Sequence, residues 1–406
     1  ALYKRYHQSE LRSCSSHGCP CPSLTHSNSA RWEGMGSSKI NIDAIQAAFS
    51  WFTSQTNSDT LLPRVKTISW DADDNYPSSQ LPYFISSCLQ QLSFTWTSSS
   101  YDEIPGEDLE RGTDIFTSLI RKQCQLIHLG FHIPWSISDS TSLHAKFLEF
   151  ASTQTRVRSI RLPDQINESI LRSMVGARNT LVSLTCWILG GTFRRTMEAL
   201  STEFSVLQEL NVRLTGGRLT HMTHEDFKQV QQIRSLRRVT FRTLAFPRLR
   251  EADVEAMSQA WPDLEEFAVK LHRYSSMARQ LQLLSILSAF ARWMGSTIQI
   301  LDLDLDATEE RPLVTAGSFK FVKLRELRIG ELRLWHAPDD PDSEHGVAEY
   351  LRSLSFSGQS PFKLVIPVYT FETGNGNLPL LKGWDKVRYL LETGGVAVEE
   401  GHRPNS

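Results

Sequence analysis

The sequence predicts an α/β repeat fold, a curved solenoid with parallel strands on its concave side and helices on its convex side. Three observations support this fold class. A phrase with apolar residues at its first, fourth and sixth positions recurs about ten times. A stretch with helical periodicity precedes nearly every copy, and short turns join the two. The copies start at Val65, Leu89, Leu126, Val157, Leu181, Leu207, Leu236, Leu264, Ile298 and Leu324.

The spacing of the phrases defines the type of repeat. The shortest step, from Val65 to Leu89, is 24 residues, and the longest, from Leu89 to Leu126, is 37 residues. Leucine-rich repeats run about 20–29 residues, so the longer steps require insertions or longer helices. No unit carries the asparagine ladder position of regular repeats. We therefore predict an irregular, leucine-rich-repeat-like solenoid.

The chain divides into three regions. Residues 1–38 are rich in Ser, Cys, Pro and His and have few apolar residues, so they are predicted to be a disordered tail. Residues 39–372 form the solenoid, which opens with a helix at residues 42–52. Residues 373–406 supply a capping helix at 384–391 and a polar tail from Glu399, after a weak strand at 362–368.

Helix starts and one helix end have their own local signals. Thr113-Asp114, Thr141-Ser142 and Asn167-Glu168 each precede an apolar run, as N-terminal capping residues do. The helix at residues 251–260 ends where Trp261-Pro262 turns the chain into the next strand, because proline cannot continue a helix. One helix and one strand thus fit between successive phrases.

Composition excludes several classes of protein. The formal net charge of −2 gives no field for a polyanion, so no nucleic-acid partner is expected. No apolar run approaches the roughly 20 residues that span a bilayer, so no membrane partner is expected either. Cys88, Cys124 and Cys186 lie in apolar segments, where a free thiol acts as a small buried hydrophobe. A reduced, intracellular location, cytoplasmic or nuclear, fits best.

Candidate metal and catalytic motifs have plainer explanations. Cys14, Cys19 and Cys21 lack the paired spacing of a zinc site, so we assign them to the tail. Asp302, Asp304 and Asp306 alternate with leucines as in a half-buried strand, and the glycine of a calcium loop is absent.

His221 and His224 mark a helix start. No cofactor and no catalytic residue are predicted, and the chain is expected not to be an enzyme. An enzyme with its site in an insertion at residues 96–111 or 307–319 is the alternative.

Strand alternation nominates a partner-binding surface. The first, fourth and sixth positions of each phrase point to the core, so the third and fifth positions point to the opposite, concave face. The latter are mostly polar, and such surfaces bind proteins in repeat stacks. A strip of mixed charge is predicted to contact the protein partner through Arg238, Arg242, Glu266, Asp302, Asp304 and Arg328.

One helix-to-strand joint carries a family resemblance. Residues 251–257 form an acidic helix that runs into Trp261-Pro262-Asp263-Leu264. This joint resembles that of F-box/leucine-rich-repeat-like proteins of mushroom-forming fungi. The resemblance implies a repeat region over about residues 40–368 that binds the substrate of a ubiquitin ligase. In that family an N-terminal F-box docks on the adaptor of a cullin-based ligase.

The F-box itself is not recognised in this chain. The Leu-Pro segment Leu61-Leu62-Pro63 leads directly into a strand phrase and not into helices. Either an F-box precedes Ala1, in which case the ligase adaptor is an expected partner, or this member lacks it. The second alternative leaves a free-standing repeat scaffold without a ligase role.

Overall fold

A single parallel sheet organises the described part of the chain. The computed structural model describes residues 29–32, 60, 64–72, 78–96, 106–132, 141–216, 221–271, 281–307, 319–334, 343–354, 363–367, 387, 389–391 and 398–401. The described strands β1–β14 belong to one sheet, and β1–β9 lie side by side in chain order. The order continues as β11, β12, β13 and β14, while β10 pairs with β11 alone. The α/β class is confirmed.

Most strands coincide with the repeated phrase. Each of the strands β2–β9, β11 and β12 begins two residues after a phrase start, so the apolar alternation correctly located the strands. The strands are β1 (Ser29–Trp32), β2 (Thr67–Ala72), β3 (Gln91–Trp96), β4 (His128–His132), β5 (Ser159–Gln165), β6 (Ser183–Leu189), β7 (Glu209–Thr215), β8 (Arg238–Thr243), β9 (Glu266–Leu271), β10 (Gln282–Leu283), β11 (Ile300–Ala307), β12 (Glu326–Leu334), β13 (Lys363–Pro367) and β14 (Val398–Gly401).

Helices connect most of the strands. They are α1 (Gly106–Arg121), α2 (Thr141–Thr153), α3 (Glu168–Ser173), α4 (Phe193–Glu203), α5 (His224–Val230), α6 (Glu251–Ala260), α7 (Ile286–Met294) and α8 (Ser343–Leu354). Asn167 caps α3, since its side chain accepts a hydrogen bond from the Ile170 N–H. Thr223 and Asp226 form a reciprocal capping box at the start of α5, which confirms the helix start predicted beside His224.

The core lies on one face of the sheet, between strands and helices. All ten phrase-starting residues are buried, and so are the central positions Leu210, Phe267 and Leu301. In β6 and β7 buried residues alternate strictly with partly exposed ones. The other face of the sheet, which we call the polar face, carries the alternate residues. Apolar alternation therefore assigned the two faces of these strands correctly.

The structure corrects both ends of the predicted domain division. Ser29–Trp32 lies inside the segment predicted to be a disordered tail, yet it forms β1 and pairs with β2 in register Trp32 to Trp70. Val398–Gly401 lies in the predicted polar tail, yet it forms β14 beside β13. Both are edge strands, which need only backbone hydrogen bonds and no apolar pattern of their own. The strand predicted at 362–368 is confirmed as β13.

Two local predictions are also wrong. Helix α1 begins at Gly106, before the Thr113-Asp114 signal, so that pair lies inside the helix. Cys88 is exposed, because it lies in the turn before β3, whereas Cys124 and Cys186 are buried as predicted. The helix at 42–52, the tail cysteines and most of the insertions at 96–111 and 307–319 lie outside the described residues. Of the helix at 384–391, residues 387 and 389–391 are helical.

No helix in the described ranges combines the length and apolarity that crossing a membrane requires.

Candidate functional site

Three rows of side chains run across strands β6–β9 on the polar face. The parallel register aligns equivalent positions, so each row crosses the strands at about 4.8 Å per strand. We call them the charged row (Glu209, Arg238 and Glu266), the small row (Thr185, Asn211, Thr240 and Ala268) and the basic row (Arg213, Arg242 and Lys270). Short side chains thus lie between two rows of long ones, and we call the partly exposed part of the small row, at Thr185, Asn211 and Thr240, the trough. Ala268 is buried, so the trough does not extend to β9.

The charged row is internally compensated. Arg238 lies between two carboxylates, with 2.7 Å from Nη1 to Glu209 Oε1 and 3.8 Å from Nη2 to Glu265 Oε2. Arg237 also pairs with Glu265. Charges of opposite sign on adjacent strands stabilise the sheet modestly when they are exposed. Arg238, predicted to contact a partner, therefore already has partners within the chain.

The basic row has no acid between its members. Arg213 is opposite Arg242, and Arg242 is opposite Lys270, on three consecutive strands. At one end the guanidinium carbon of Arg213 lies 4.9 Å from the ring centroid of Trp187, which is its neighbour on β6. At the other end Lys270 Nζ lies 3.4 Å from Asp302 Oδ2. The basic row thus begins with an aromatic ring and ends with a carboxylate.

The aspartates of β11 are buried, so the predicted acidic spot is not on the surface. Asp302 is 0 % exposed, and Asp304 and Asp306 are 5 % exposed each. Asp304 Oδ2 accepts a hydrogen bond from the Leu271 N–H at 3.2 Å, and Asp306 Oδ2 lies 3.4 Å from Arg248 Nη2. The Asp304 carboxylate therefore holds the backbone at the end of β9, and the Asp306 carboxylate pairs with the segment between β8 and α6. Both are engaged within the chain and do not form a surface for a partner.

Arg328 is likewise engaged inside the chain. Its Nε and Nη2 donate hydrogen bonds to the two carboxylate oxygens of Glu326, at 3.0 and 2.8 Å. These bonds lower the pKa of Glu326 and raise the pKa of Arg328. A bidentate pair of this kind fixes both side chains.

The predicted strip is therefore not continuous. Arg238 and Glu266 are adjacent in the charged row, Arg242 belongs to the basic row, and Asp302 is opposite Arg328 on β12. Ala268 of the small row lies between Glu266 and Lys270 along β9 and is opposite Asp302 on β11, so it interrupts the strip. Sequence reasoning missed Trp187, Arg213 and Lys270, which occupy the seventh position of their phrases. Continuing the alternation to the seventh position in every unit, as was done for Arg242 and Asp304, would have found them.

Other reactive groups in the described ranges have structural roles. Burial raises the pKa of the Cys124 thiol and of the Cys186 thiol to about 12, which makes them poor nucleophiles. His224 begins α5, and its Nε2 lies 3.0 Å from the Arg248 carbonyl oxygen. Within these ranges, no three His, Cys, Asp or Glu side chains are arranged to hold a metal ion.

Comparison of the sequence with protein-family models and with curated proteins gave no match.

Proposed function

We propose that this protein is a non-enzymatic recognition scaffold, an irregular leucine-rich-repeat-like solenoid whose concave sheet holds a protein partner. The polar face carries the proposal. Over β6–β8 its small row forms a trough between longer charged and basic side chains, and the opposite face of the same strands is filled by the core. Rigid sheets with exposed polar side chains suit recognition, because strands fix the spacing of contact residues without ordering costs.

The strand order favours the solenoid. Strands β1–β9 neighbour one another in chain order and run parallel. Stacked units of one helix and one strand produce this order, since each unit contacts only the units before and after it. Parallel neighbours joined by right-handed crossovers place their helices on one side of the sheet, which leaves the other side open.

The joint at Trp261 favours a more specific role within this proposal. Its resemblance to F-box/leucine-rich-repeat-like proteins assigns the trough to a substrate of a ubiquitin ligase. Copurification of the full-length protein with a cullin adaptor tests this role. Copurification of partners without any adaptor would favour the alternative role, a free-standing repeat scaffold.

Filling the trough with large, uncharged side chains is the most direct test of the scaffold proposal. Thr185→Tyr with Thr240→Tyr fills the small row without changing charge, and both positions are partly exposed. Tyrosine is favoured in strands, so the variant is expected to keep the parent's circular dichroism and melting temperature. The matched control is Ala252→Tyr with Ala256→Tyr, two exposed positions on α6.

The readout is quantitative capture of proteins from cell extract. We expect the trough variant to lose the proteins that the parent and the control both retain. Retention of every partner by the trough variant, with loss by the helix variant, would place recognition on the helical side and contradict the proposal.

A further inference from the structure

Two arginines border the end of the trough that lies next to β5. Arg161 is exposed on β5, directly opposite Thr185, where the trough begins. Arg213 belongs to the basic row on β7, and its guanidinium carbon lies 4.9 Å from the ring centroid of Trp187. Trp187 in turn lies two residues beyond Thr185 on β6. The positive charges of both arginines are therefore placed beside the same end of the trough.

Neither arginine is neutralised within the described part of the chain. No carboxylate of the described residues lies at ion-pair distance from Arg161 or Arg213. Glu209, in the charged row on β7, is already paired with Arg238 at 2.7 Å. The other members of the basic row interact within the chain. The uncompensated positive charge of the polar face over β5–β9 is thus concentrated at this end of the trough.

Trp187 gives this end of the trough a second distinguishing feature. It is the one aromatic side chain on the polar face of β6–β9, and it is partly exposed there. Its cation–π contact holds the Arg213 guanidinium in place but uses none of the five N–H donors. Tryptophan and arginine are also the residues that often dominate binding energy at protein interfaces. Arg213 is therefore held ready for a ligand, which lowers the ordering cost of binding.

We infer that Arg161 and Arg213 bind an acidic peptide segment of a protein partner, which lies over β5–β7 with a separate carboxylate on each guanidinium. The inference rests on the proposed function, because it names the class of partner held in the trough. Thr185 has Arg161 about 4.8 Å away on β5 and Trp187 about 7 Å away along β6, so the two binding positions are about 8 Å apart. Alternate side chains of an extended peptide project to one side about 7 Å apart. Asp or Glu at alternate positions thus fits both arginines.

A peptide fits this end of the trough better than a single-stranded nucleic acid, which also stacks on tryptophan. Two cations are too few to track a phosphate backbone. Gly130, opposite Arg161 on β4, adds no charge, and Glu209 in the neighbouring charged row repels phosphates. A peptide carries negative charge only at its acidic residues, so it can place carboxylates at the arginines and neutral groups beside Glu209.

The test uses the full-length protein and a fluorescent peptide of alternating Glu and Ser, about ten residues long, which is more than enough to reach both arginines. Fluorescence anisotropy measures binding at about 0.1 M salt. Arg161→Gln and Arg213→Gln are each expected to weaken binding about fivefold, the effect of losing one solvent-accessible ion pair. The double variant is expected to weaken it about 25-fold, because the effects of two separate contacts on affinity multiply.

Arg195→Gln is the matched control. Arg195 is exposed on α4, on the helical side of the sheet, and its loss changes the net charge equally. It is expected to leave the affinity within about twofold, because at this salt concentration charges more than about 10 Å apart are largely screened. All of these variants should keep the parent's melting temperature, since they alter only side chains that are not buried.

Four results would overturn the inference. They are absence of peptide binding to the parent, equal weakening by Arg195→Gln, a double variant that binds no more weakly than the weaker of the two single variants, and tighter binding of a single-stranded thymidine oligonucleotide that depends on both arginines. If the peptide fails while Thr185→Tyr with Thr240→Tyr still loses native partners, the acidic class is wrong and the scaffold stands. If the trough variant keeps every native partner, the scaffold proposal fails whatever the peptide does.

Discussion

The indole Nε1 of Trp261 donates a hydrogen bond to the backbone carbonyl oxygen of Ile233, 2.9 Å away. Trp261 immediately follows α6, and Ile233 lies between α5 and β8, so the bond joins two consecutive helix–strand units. The ring is fully buried and packs edge-on against Phe227 with 6.0 Å between the ring centroids. The Trp-Pro joint noted in the sequence is therefore a structural link between units.

Removal of this hydrogen bond should lower the stability of the protein. Trp261→Phe keeps an aromatic ring but leaves the buried Ile233 carbonyl without its donor, which should cost about 1–3 kcal/mol. Urea denaturation followed by far-ultraviolet circular dichroism measures the loss. Trp293→Phe is the control, because the Trp293 indole lies 3.4 Å from the exposed carboxylate of Glu251 and should cost less. Equal losses would show that the Ile233 bond does not matter.

Phe267 tests the register of the repeat. It is fully buried in β9, and its ring lies 5.7 Å from that of Phe290 and 6.3 Å from that of Phe241, measured between centroids. Phe267→Asp would bury a carboxylate among aromatic rings and should cost at least about 3 kcal/mol. Thr240→Asp, on the polar face of β8, should cost far less. A Phe267→Asp protein melting within about 2 °C of the parent would refute the assigned register.

The three described cysteines should react differently with a thiol reagent. Cys88 is exposed, whereas Cys124 and Cys186 are buried and their pKa values are raised to about 12. Only the thiolate is nucleophilic. Burial therefore slows the reaction of Cys124 and Cys186 in two ways, because it blocks access of the reagent and keeps the thiols protonated. Iodoacetamide treatment of the native protein at neutral pH, followed by peptide mass mapping, should show Cys88 alkylated and the other two unmodified. Alkylation of Cys186 before denaturation would contradict its placement in the core.

Two truncations test whether β1 is part of the sheet. Deletion of residues 1–28 keeps β1, and deletion of residues 1–38 removes it. Because β1 pairs with β2 from Ser29 opposite Thr67 to Trp32 opposite Trp70, only the longer deletion should accelerate amide hydrogen exchange in β2. Identical exchange in β2 after both deletions would show that β1 does not contribute to the sheet.

Strand positions were predictable from sequence because the core imposes a period of two on apolar residues. The apolar period identifies which face a side chain occupies, but it does not reveal whether other residues cover that face. Asp302 and Asp304 follow the period of the polar face, yet they are buried. Strands β1 and β14 were missed because edge pairing through the backbone leaves no side-chain pattern. Arg213 was missed because the alternation was continued to the seventh position only in the units of Arg242 and Asp304.

The ion pair between Glu326 and Arg328 gives a prediction for pH dependence. Hydrogen bonds from Arg328 lower the pKa of Glu326 below its ordinary value of 4.5. The folded state therefore binds a proton less readily than the unfolded state, so the pair adds stability above pH 4.5. That contribution is lost as the pH falls through the lower, folded-state pKa. The pair is partly exposed, with 33 % and 20 % of the Arg328 and Glu326 side chains accessible, so solvent limits its effect to about 1 kcal/mol.

Glu326→Gln should accordingly lower the free energy of unfolding at neutral pH, and its difference from the parent should shrink toward zero as the pH falls below 4.5. Urea denaturation at a series of pH values measures the two curves. Arg328→Gln is the companion variant, because it removes the same pair from the other side, and its curve should approach that of the parent in the same way. If the Glu326→Gln curve instead stays parallel to that of the parent down to acid pH, the bidentate pair with Arg328 does not form in solution, and Arg328 would be available to a partner after all.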